Sequence, residues 1–364
     1  MSLRKNLNIS FITPYPKGTA PGQRFRFEQY LDLLELEGHQ IDFFSFLSNR
    51  GYDVLYTKGN SPQKILFVLK GFLKRIYQLL LLFKVDYIFL YREATPIGPP
   101  IFEWVIARIL QKKIIYDFDD AIWLTDRKLE SKFLKIIKGR RKVKHICSWS
   151  YKVSCGNQYL VDFALKYNSQ VILNPTTIDC LKVHSLKTYE SKRNIDRVVI
   201  GWTGSHSTLK YLQWLEPVLK IIEDKFQQVS FLVIADRVPM LKLNRLEFIN
   251  WKASTEILGL IKMDIGIMPL PDDEWTKGKC GFKALQYMSL KIPTVASPVG
   301  VNTQIINHGV NGFLASSFDG WMMYLEKLIL NEKLRREIGK SGRETVISSY
   351  SVASNSANFL SLFE

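Results

Sequence analysis

Short apolar runs alternate with helical patterns along the first half of the chain. LNISFIT (7–13) reads as a strand, RFRFEQYLDLLELEG (24–38) as a helix ending in glycine, and HQIDFFSF as a second strand. A helix over 64–84 leads to the strand DYIFLYR (86–92), and a helix over 100–110 leads to the strand KIIYDF (113–118). Strands over 152–156 and 169–175 close this half. The stretch 178–197 is polar and without a clear apolar period, so it reads as a linker. Beyond it the pattern repeats: strand 197–203, helix 208–225, strands 228–236 and 246–251, the helical STEILGLIKM, strand DIGIMPL (264–270), strand TVAS and a helical tail. Strands alternating with helices predict α/β architecture with parallel sheets covered on both faces. Two such Rossmann-like domains would face each other across a cleft that takes the ligand.

Composition supports this picture. A chain of 364 residues exceeds one ordinary hydrophobic core, and 46% hydrophobic with 13% aromatic residues is ample for two. The cysteines Cys147, Cys155, Cys180 and Cys280 have no CxxC or metal-ligand spacing and read as reduced, mostly buried thiols of a cytosolic protein. No secretory signal is expected at the start, and the greasy run from Ile65 to Phe83 is broken by Lys70, Lys74 and Arg75, so it does not span a bilayer.

The net charge of +16 sits mostly in residues 1–190, which hold 29 Lys and Arg against 17 Asp and Glu. It peaks at Arg127–Lys144. Such a field favours polyanions or an anionic membrane surface, while a solvated basic face is the plainer reading. On the helix over 64–84, Lys64, Lys70, Lys74, Arg75 and Gln78 fall on one arc, either a membrane-lying face or the basic outside of a flanking helix. Aromatics do not interleave with the basic cluster, so nucleic acid is not an expected partner.

The most informative stretch is Gly278–Gly300, GKCGFKALQYMSLKIPTVASPVG. A glycine turn feeding a helix presents unpaired N–H groups and the positive end of the helix dipole, a cradle for phosphate. Lys279 and Lys283 add charge around Cys280, Gly281 and Phe282, and Gln286 lies one turn on. A second strand-to-helix turn, GWTGSHST (201–208), offers Thr203, Gly204, Ser205, Ser207 and Lys210 either to phosphate or to a plain N-cap by Ser207 or Thr208. In the first half, Gly22, Arg24 and Arg26 join strand to helix. They suit a phosphate or carboxylate, although for Arg26 a surface arginine is the plainer reading. Asp117, Asp119 and Asp120 end a strand; Asp119 is expected to orient sugar or acceptor hydroxyls, and Asp120 to cap a helix or bind the acceptor. Asp272, Asp273 and Glu274 would accept from sugar hydroxyls or simply face solvent. His39 is expected to be structural, and Trp251 with Lys252 to flank a base or enter the core. No metal site and no covalent nucleophile is expected.

The run 281–315 resembles the most recognisable block of the large retaining GT-B glycosyltransferases of the "group 1" or family 4 type. NPTTID (174–179) and EGHQIDFF resemble that family's interdomain element and early strand entry, and the closing YSVASNSANFLSLFE resembles its returning helix. The resemblance implies the GT-B fold: an acceptor domain over 1–180 with a helix of about 350–364 packing back on it, and a donor domain over 190–345. It implies sugar transfer from a nucleotide-diphosphate-sugar of UDP or GDP type, with retention and without a cofactor or metal. The paired glutamates usual in that family fall here on Gly278 and Gln286, so this copy is a variant. Lys279, Lys283, the 280–282 amides and the 203–205 turn would stabilise the departing diphosphate, with Lys283 and Asp119 as the catalytic pair. The acceptor is expected to be a glycan or lipid-linked molecule, handled in the cytoplasm or peripherally on the inner membrane face. A nucleotide-sugar epimerase, an inverting transferase and a non-catalytic polyanion-binding protein are the competing expectations.

Overall fold

In the computed structural model, residues 6–57, 59–125, 139–185 and 197–364 are described. The chain divides into two compact units, Met1–Pro175 together with Ser356–Glu364, and Thr176–Asn355.

The first unit is built on six parallel strands: β1 (Asn8–Thr13), β2 (Gln40–Ser45), β3 (Tyr87–Tyr91), β4 (Lys113–Phe118), β5 (Lys152–Cys155) and β6 (Val171–Leu173). Their order is β2-β1-β3-β4-β5-β6. Every residue of β3 is buried, whereas edge strand β2 alternates. That is the signature of a parallel sheet covered on both faces. Phe11, Phe27 and Phe89 form the aromatic centre, and the chain's last residues close it: Phe359 stacks on Tyr30 at 4.2 Å between centroids. The winding direction reverses between β1 and β3, which makes the carboxyl ends of those strands the natural ligand crevice of this sheet.

The second unit repeats the plan with β7 (Val198–Gly204), β8 (Val229–Ala235), β9 (Leu246–Asn250), β10 (Ile265–Met268), β11 (Thr294–Ala296) and β12 (Phe313–Leu314). The order β12-β11-β10-β7-β8-β9 is the doubly wound arrangement, reversing between β7 and β10. β8 is buried throughout, and Trp202, Leu215, Phe231 and Trp321 anchor the main core on one side. On the other side Tyr287, Met263 and Leu260 pack against Leu232 and Ile234.

Three expectations are corrected. The helix read over 24–38 begins at Pro21, whose fixed φ suits a first turn, and breaks at Phe27 (φ −142°) before resuming as Leu31–Leu36. The segment over 100–110 is Ile101–Trp104 followed by a wider π turn, Val105–Ile109. The helix over 64–84 spans Ser61–Leu81, and its arc is not the basic one expected: Arg75 and Gln78 are buried while leucines and isoleucines are exposed. The cause is local. Arg75 donates to the carbonyls of Thr13 (2.6 Å), Phe44 (2.7 Å) and Ala94 (2.9 Å) and to Gln78 Oε1 (2.7 Å). A charged side chain that satisfies strand-end carbonyls belongs inside.

Within the basic run 127–144, residues up to 138 lie outside the described residues, as do 186–196 of the expected linker. Lys142, at the end of that run, is buried rather than solvated. Its ammonium donates to Thr95 O (2.8 Å) and meets Glu93 Oε2 (2.9 Å). All four cysteines are buried. His39 is structural, accepting at Nδ1 from the Leu7 amide (3.3 Å).

Candidate functional site

In the second unit the chemistry gathers where β7 and β10 end. Gly204 closes β7 over the indole of Trp202; a Cβ there would lie 2.5 Å from the ring and 2.8 Å from Thr208 Oγ1. Only glycine permits the turn to fold back this tightly. Beyond it, Ser205 and Ser207 hydroxyls are exposed and 2.8 Å apart. Neither Ser207 nor Thr208 caps the helix Leu209–Lys225 through its side chain; Thr208 Oγ1 instead donates to Ser205 O (3.0 Å). Thr203 is buried. Its hydroxyl donates to Ile234 O (3.3 Å) and its amide to Tyr287 Oη (2.9 Å). Lys210 is exposed, its ammonium over the Tyr211 ring at 5.1 Å.

The helix Phe282–Ser289 faces this turn. Its N-cap is Gly281 at φ +68°, where a Cβ would fall 2.2 Å from Ile305 Cδ1. The position therefore demands glycine twice, for its backbone angle and for its space, and it brings no capping side chain. Lys283 and Tyr287, four residues apart on one helical face, both meet β7. Tyr287 holds the Thr203 amide, and Lys283 Nζ lies over Trp202 at 5.6 Å. The Tyr287 ring also lies over Gly266 of β10, where a Cβ would come within 2.5 Å. Lys279 Nζ lies over Trp275 at 4.9 Å. Cys280 is buried, its thiol directed to Gly278 O (3.8 Å).

Gln286 is the anomaly of this helix. It is 1% exposed, and neither its amide oxygen nor its amide nitrogen has a hydrogen-bond partner. Leaving such a group unsatisfied costs about 1–3 kcal/mol, so a native protein keeps one where something else pairs with it.

The acids ahead of this helix have structural partners. Asp273 caps Glu274–Lys277 in a reciprocal box with Thr276 (2.8 Å), and Lys277 pairs with Glu274 (2.9 Å) and Asp272 (3.7 Å). Trp251 is half-buried and donates to Glu256 Oε1 (3.1 Å) while packing on the smaller core.

A further pair joins two strand ends. His206 donates its amide to Asp236 Oδ1 (2.5 Å) and places Nδ1 2.5 Å from Asp236 Oδ2, tying the ends of β7 and β8 together. Both side chains remain about a third exposed, at 36% and 34%. The only local signal was an acid closing the strand FLVIAD.

The first unit has its own polar cluster. Arg92, directly after β3, adopts φ +60°, which is unusual for a residue with a side chain. From there its guanidinium reaches Asp119 Oδ1 (2.6 Å from Nη2, 2.9 Å from Nε) and Asp120 Oδ2 (2.6 Å). Tyr91 Oη also donates to Asp119 Oδ1 (2.9 Å). Gly22 lies against the same group, where a Cβ would stand 2.2 Å from Tyr91 Oη and 3.2 Å from Asp119 Oδ2. Gly22, Asp119 and Asp120 are thus brought together. Arg24 stays partly exposed with its guanidinium 5.1 Å from the Phe25 ring. Arg26 is no surface residue: it is 1% exposed and paired with Asp117. Among the described residues no group of three or more His, Cys, Asp or Glu is arranged to hold a metal ion.

Comparison with known proteins places this geometry. Residues 197–331 match the model of the family described as Glycosyl transferases group 1. The fold matches sucrose-phosphate synthase from Thermosynechococcus elongatus, with 14% identity, 98% of each chain covered and a TM-score of 0.71. It also matches Anabaena HepE in complex with UDP and glucose, with 15% identity, 98% of this chain and 100% of that one covered, and a TM-score of 0.64. A glycosyltransferase from Rickettsia africae shares 15% identity over 99% and 98% of the two chains, with a TM-score of 0.66. Identities this low carry the fold, which is GT-B with two Rossmann-like units. No curated protein matches the sequence significantly.

Proposed function

We propose that this chain is a glycosyltransferase that moves a sugar from a nucleotide-diphosphate-sugar of UDP or GDP type to an acceptor hydroxyl, with retention of configuration. The observation that carries the reading is Gln286: a buried amide without a partner, on the helix that opens at Gly281, inside the segment matching the group 1 family model. An amide both donates and accepts, so it suits a vicinal diol such as a ribose or a sugar ring. HepE, similar in fold across its whole length, is described in complex with UDP and glucose.

The chemistry asked of the protein is leaving-group stabilisation. The anomeric carbon–oxygen bond breaks with its electron pair going to the diphosphate, and the acceptor oxygen forms the new bond on the same face. The acceptor proton passes to a donor phosphate oxygen. Lys279 and Lys283 and the dipole of the helix after Gly281 meet the charge that develops on the diphosphate. Ser205 and the Gly204 amide border the same crevice. Asp236 orients His206 beside it. In the first unit Asp119, held by Arg92 and Tyr91, supplies a fixed carboxylate for hydroxyls, with Gly22, Arg24 and Asp120 around it. No cofactor is assigned a step.

The acceptor we assign is a glycan or lipid-linked molecule of cell-envelope polysaccharide or glycolipid synthesis, handled in the cytoplasm at the inner membrane face. No helix among the described residues is long and apolar enough to cross a membrane. The test is a thermal-shift panel of UDP, GDP, ADP and their sugars, followed by product analysis with the stabilising donor. One nucleotide series should raise the unfolding temperature according to ligand linkage. If none does, and Lys283→Ala alters no response, the transferase reading fails.

A further inference from the structure

The helix Ser61–Leu81 is amphipathic in the reverse of the usual sense. Its stripe of Gly71, Arg75 and Gln78 is buried, and the opposite stripe of Ile65, Leu69, Leu73, Ile76 and Leu80 is 56–67% exposed. Both stripes follow the 3.6-residue period, so the orientation is a property of the whole helix. It cannot roll over to hide the leucines. Arg75 is fixed by its four acceptors, and Gly71 sits so close to Phe46 that a Cβ would fall 2.6 Å from the ring.

The apolar surface extends to a second segment. Phe102 meets Phe72 at 6.1 Å, and Lys112 Nζ donates to Phe83 O (2.7 Å). The segment 101–109 therefore lies alongside, adding Trp104 and Ile109, 43% and 60% exposed. A patch of this extent on a monomer marks an interaction surface. Its charge identifies the partner. Lys70, Lys74, Lys84 and Arg108 are exposed on and directly beside these two segments, whereas 59–85 contains no acid and the one acid of 101–109, Glu103, is buried.

We infer that this face docks on an anionic lipid bilayer, with the leucine stripe entering the acyl boundary and the lysines reaching phosphate headgroups. A second copy of the chain would set lysine against lysine across a two-fold contact, which charge repulsion opposes. The inference deepens the membrane-face location proposed above and rests on that reading only for its purpose, because lipid and nucleotide binding are measured separately.

The test is cosedimentation of the full chain with vesicles of phosphatidylcholine alone or mixed with phosphatidylglycerol. The protein should partition to the anionic vesicles and lose that partitioning as salt is raised. Leu73→Glu with Ile76→Glu should weaken it on the order of tenfold or more, and so should Lys70→Glu with Lys84→Glu. Both pairs are exposed, so unfolding temperature and nucleotide-induced shift should stay at the wild-type values. Wild-type protein that ignores anionic vesicles, or glutamate variants that bind as well as wild type, would overturn the inference. So would a solution dimer that the Leu73→Glu variant dissolves, which would make a second copy the occupant. A missing nucleotide shift with intact lipid binding would sink only the transferase reading.

Discussion

Arg26 and Asp117 pair in the interior of the first unit, where neither side chain is exposed to water. The arginine leaves the short helix Pro21–Arg26 and the aspartate ends on β4, 91 residues further along the chain. The contact is a fork: Nε reaches Oδ2 at 3.1 Å, Nη2 reaches Oδ1, and Nη1 donates to Asn174 O. Ser154 completes it, donating to Asp117 Oδ1 (2.5 Å) and accepting from Asn174 Nδ2 (3.1 Å). Three strand ends are thus joined through one guanidinium.

Removing half of such a pair leaves a buried charge without compensation. Arg26→Met should therefore cost about 3–5 kcal/mol of stability, well beyond a surface substitution. Combining it with Asp117→Asn should recover part of that loss in a double-mutant cycle. Chemical denaturation of the single variants would decide it: a loss under about 1 kcal/mol means that the pair does not organise these strand ends.

Gln286 should behave in the opposite way. Gln286→Leu removes an unsatisfied buried amide and keeps the volume, so the unliganded protein should gain on the order of 1 kcal/mol. Under the proposed function, the same variant should also lose the stabilisation expected from a nucleotide sugar on the wild type. A variant both less stable and still fully ligand-responsive would show that the amide is structural.

Lys283 is partly exposed beside Trp202, so Lys283→Ala should leave the unfolding temperature within a degree or so of wild type. Transfer should fall by about 10²–10³-fold in kcat if the ammonium meets charge that develops on the leaving diphosphate. A rise in KM with unchanged kcat would assign the lysine to ground-state binding alone.

Glu103 offers a pH test beneath the Ser61–Leu81 helix. Burial pushes its carboxyl above the ordinary 4.5, against the opposing pull of the Ala94 amide (2.9 Å from Oε1) and of Lys142, and Oε2 has no hydrogen-bond partner. A carboxyl raised in the folded state contributes fully below its unfolded pKa and costs stability as pH rises through the folded value. Glu103→Gln, which still accepts from Ala94, should thus be the more stable protein near about pH 8, and its advantage should shrink as pH falls toward about 4.5. The difference in unfolding temperature between the two proteins, followed across that range, is the readout. An advantage that grows on acidification would contradict a carboxylate whose burial outweighs its partners.

Strand positions were legible because a parallel sheet buries both faces and so writes continuous apolar runs. KIIYDF became β4 over the same core, and DIGIMPL became β10. Glycines at Gly204 and Gly281 were legible as turn points for the same reason of backbone geometry. Side-chain partnerships were not. His206 and Asp236 lie 30 residues apart, and Arg92 and Asp119 lie 27 apart. Their pairing depends on which strands become neighbours. Thr203 offers a hydroxyl in sequence, but its strand turns that hydroxyl onto Ile234 O.

By itself, the sequence determined two α/β units, the glycine turn before Phe282 and the basic balance of the first half. The periodicity of burial set the units, local sterics the turn, and composition alone the charge. Tertiary structure alone decided which charges face inward. The period of helix Ser61–Leu81 marks two stripes equally well, one polar and one apolar. The carbonyls of Thr13, Phe44 and Ala94 converge to receive Arg75, and their hydrogen bonds outweigh the leucines' preference for the interior. Likewise, Gln286 reads as an ordinary helical polar residue until packing closes around it and leaves its amide without a partner.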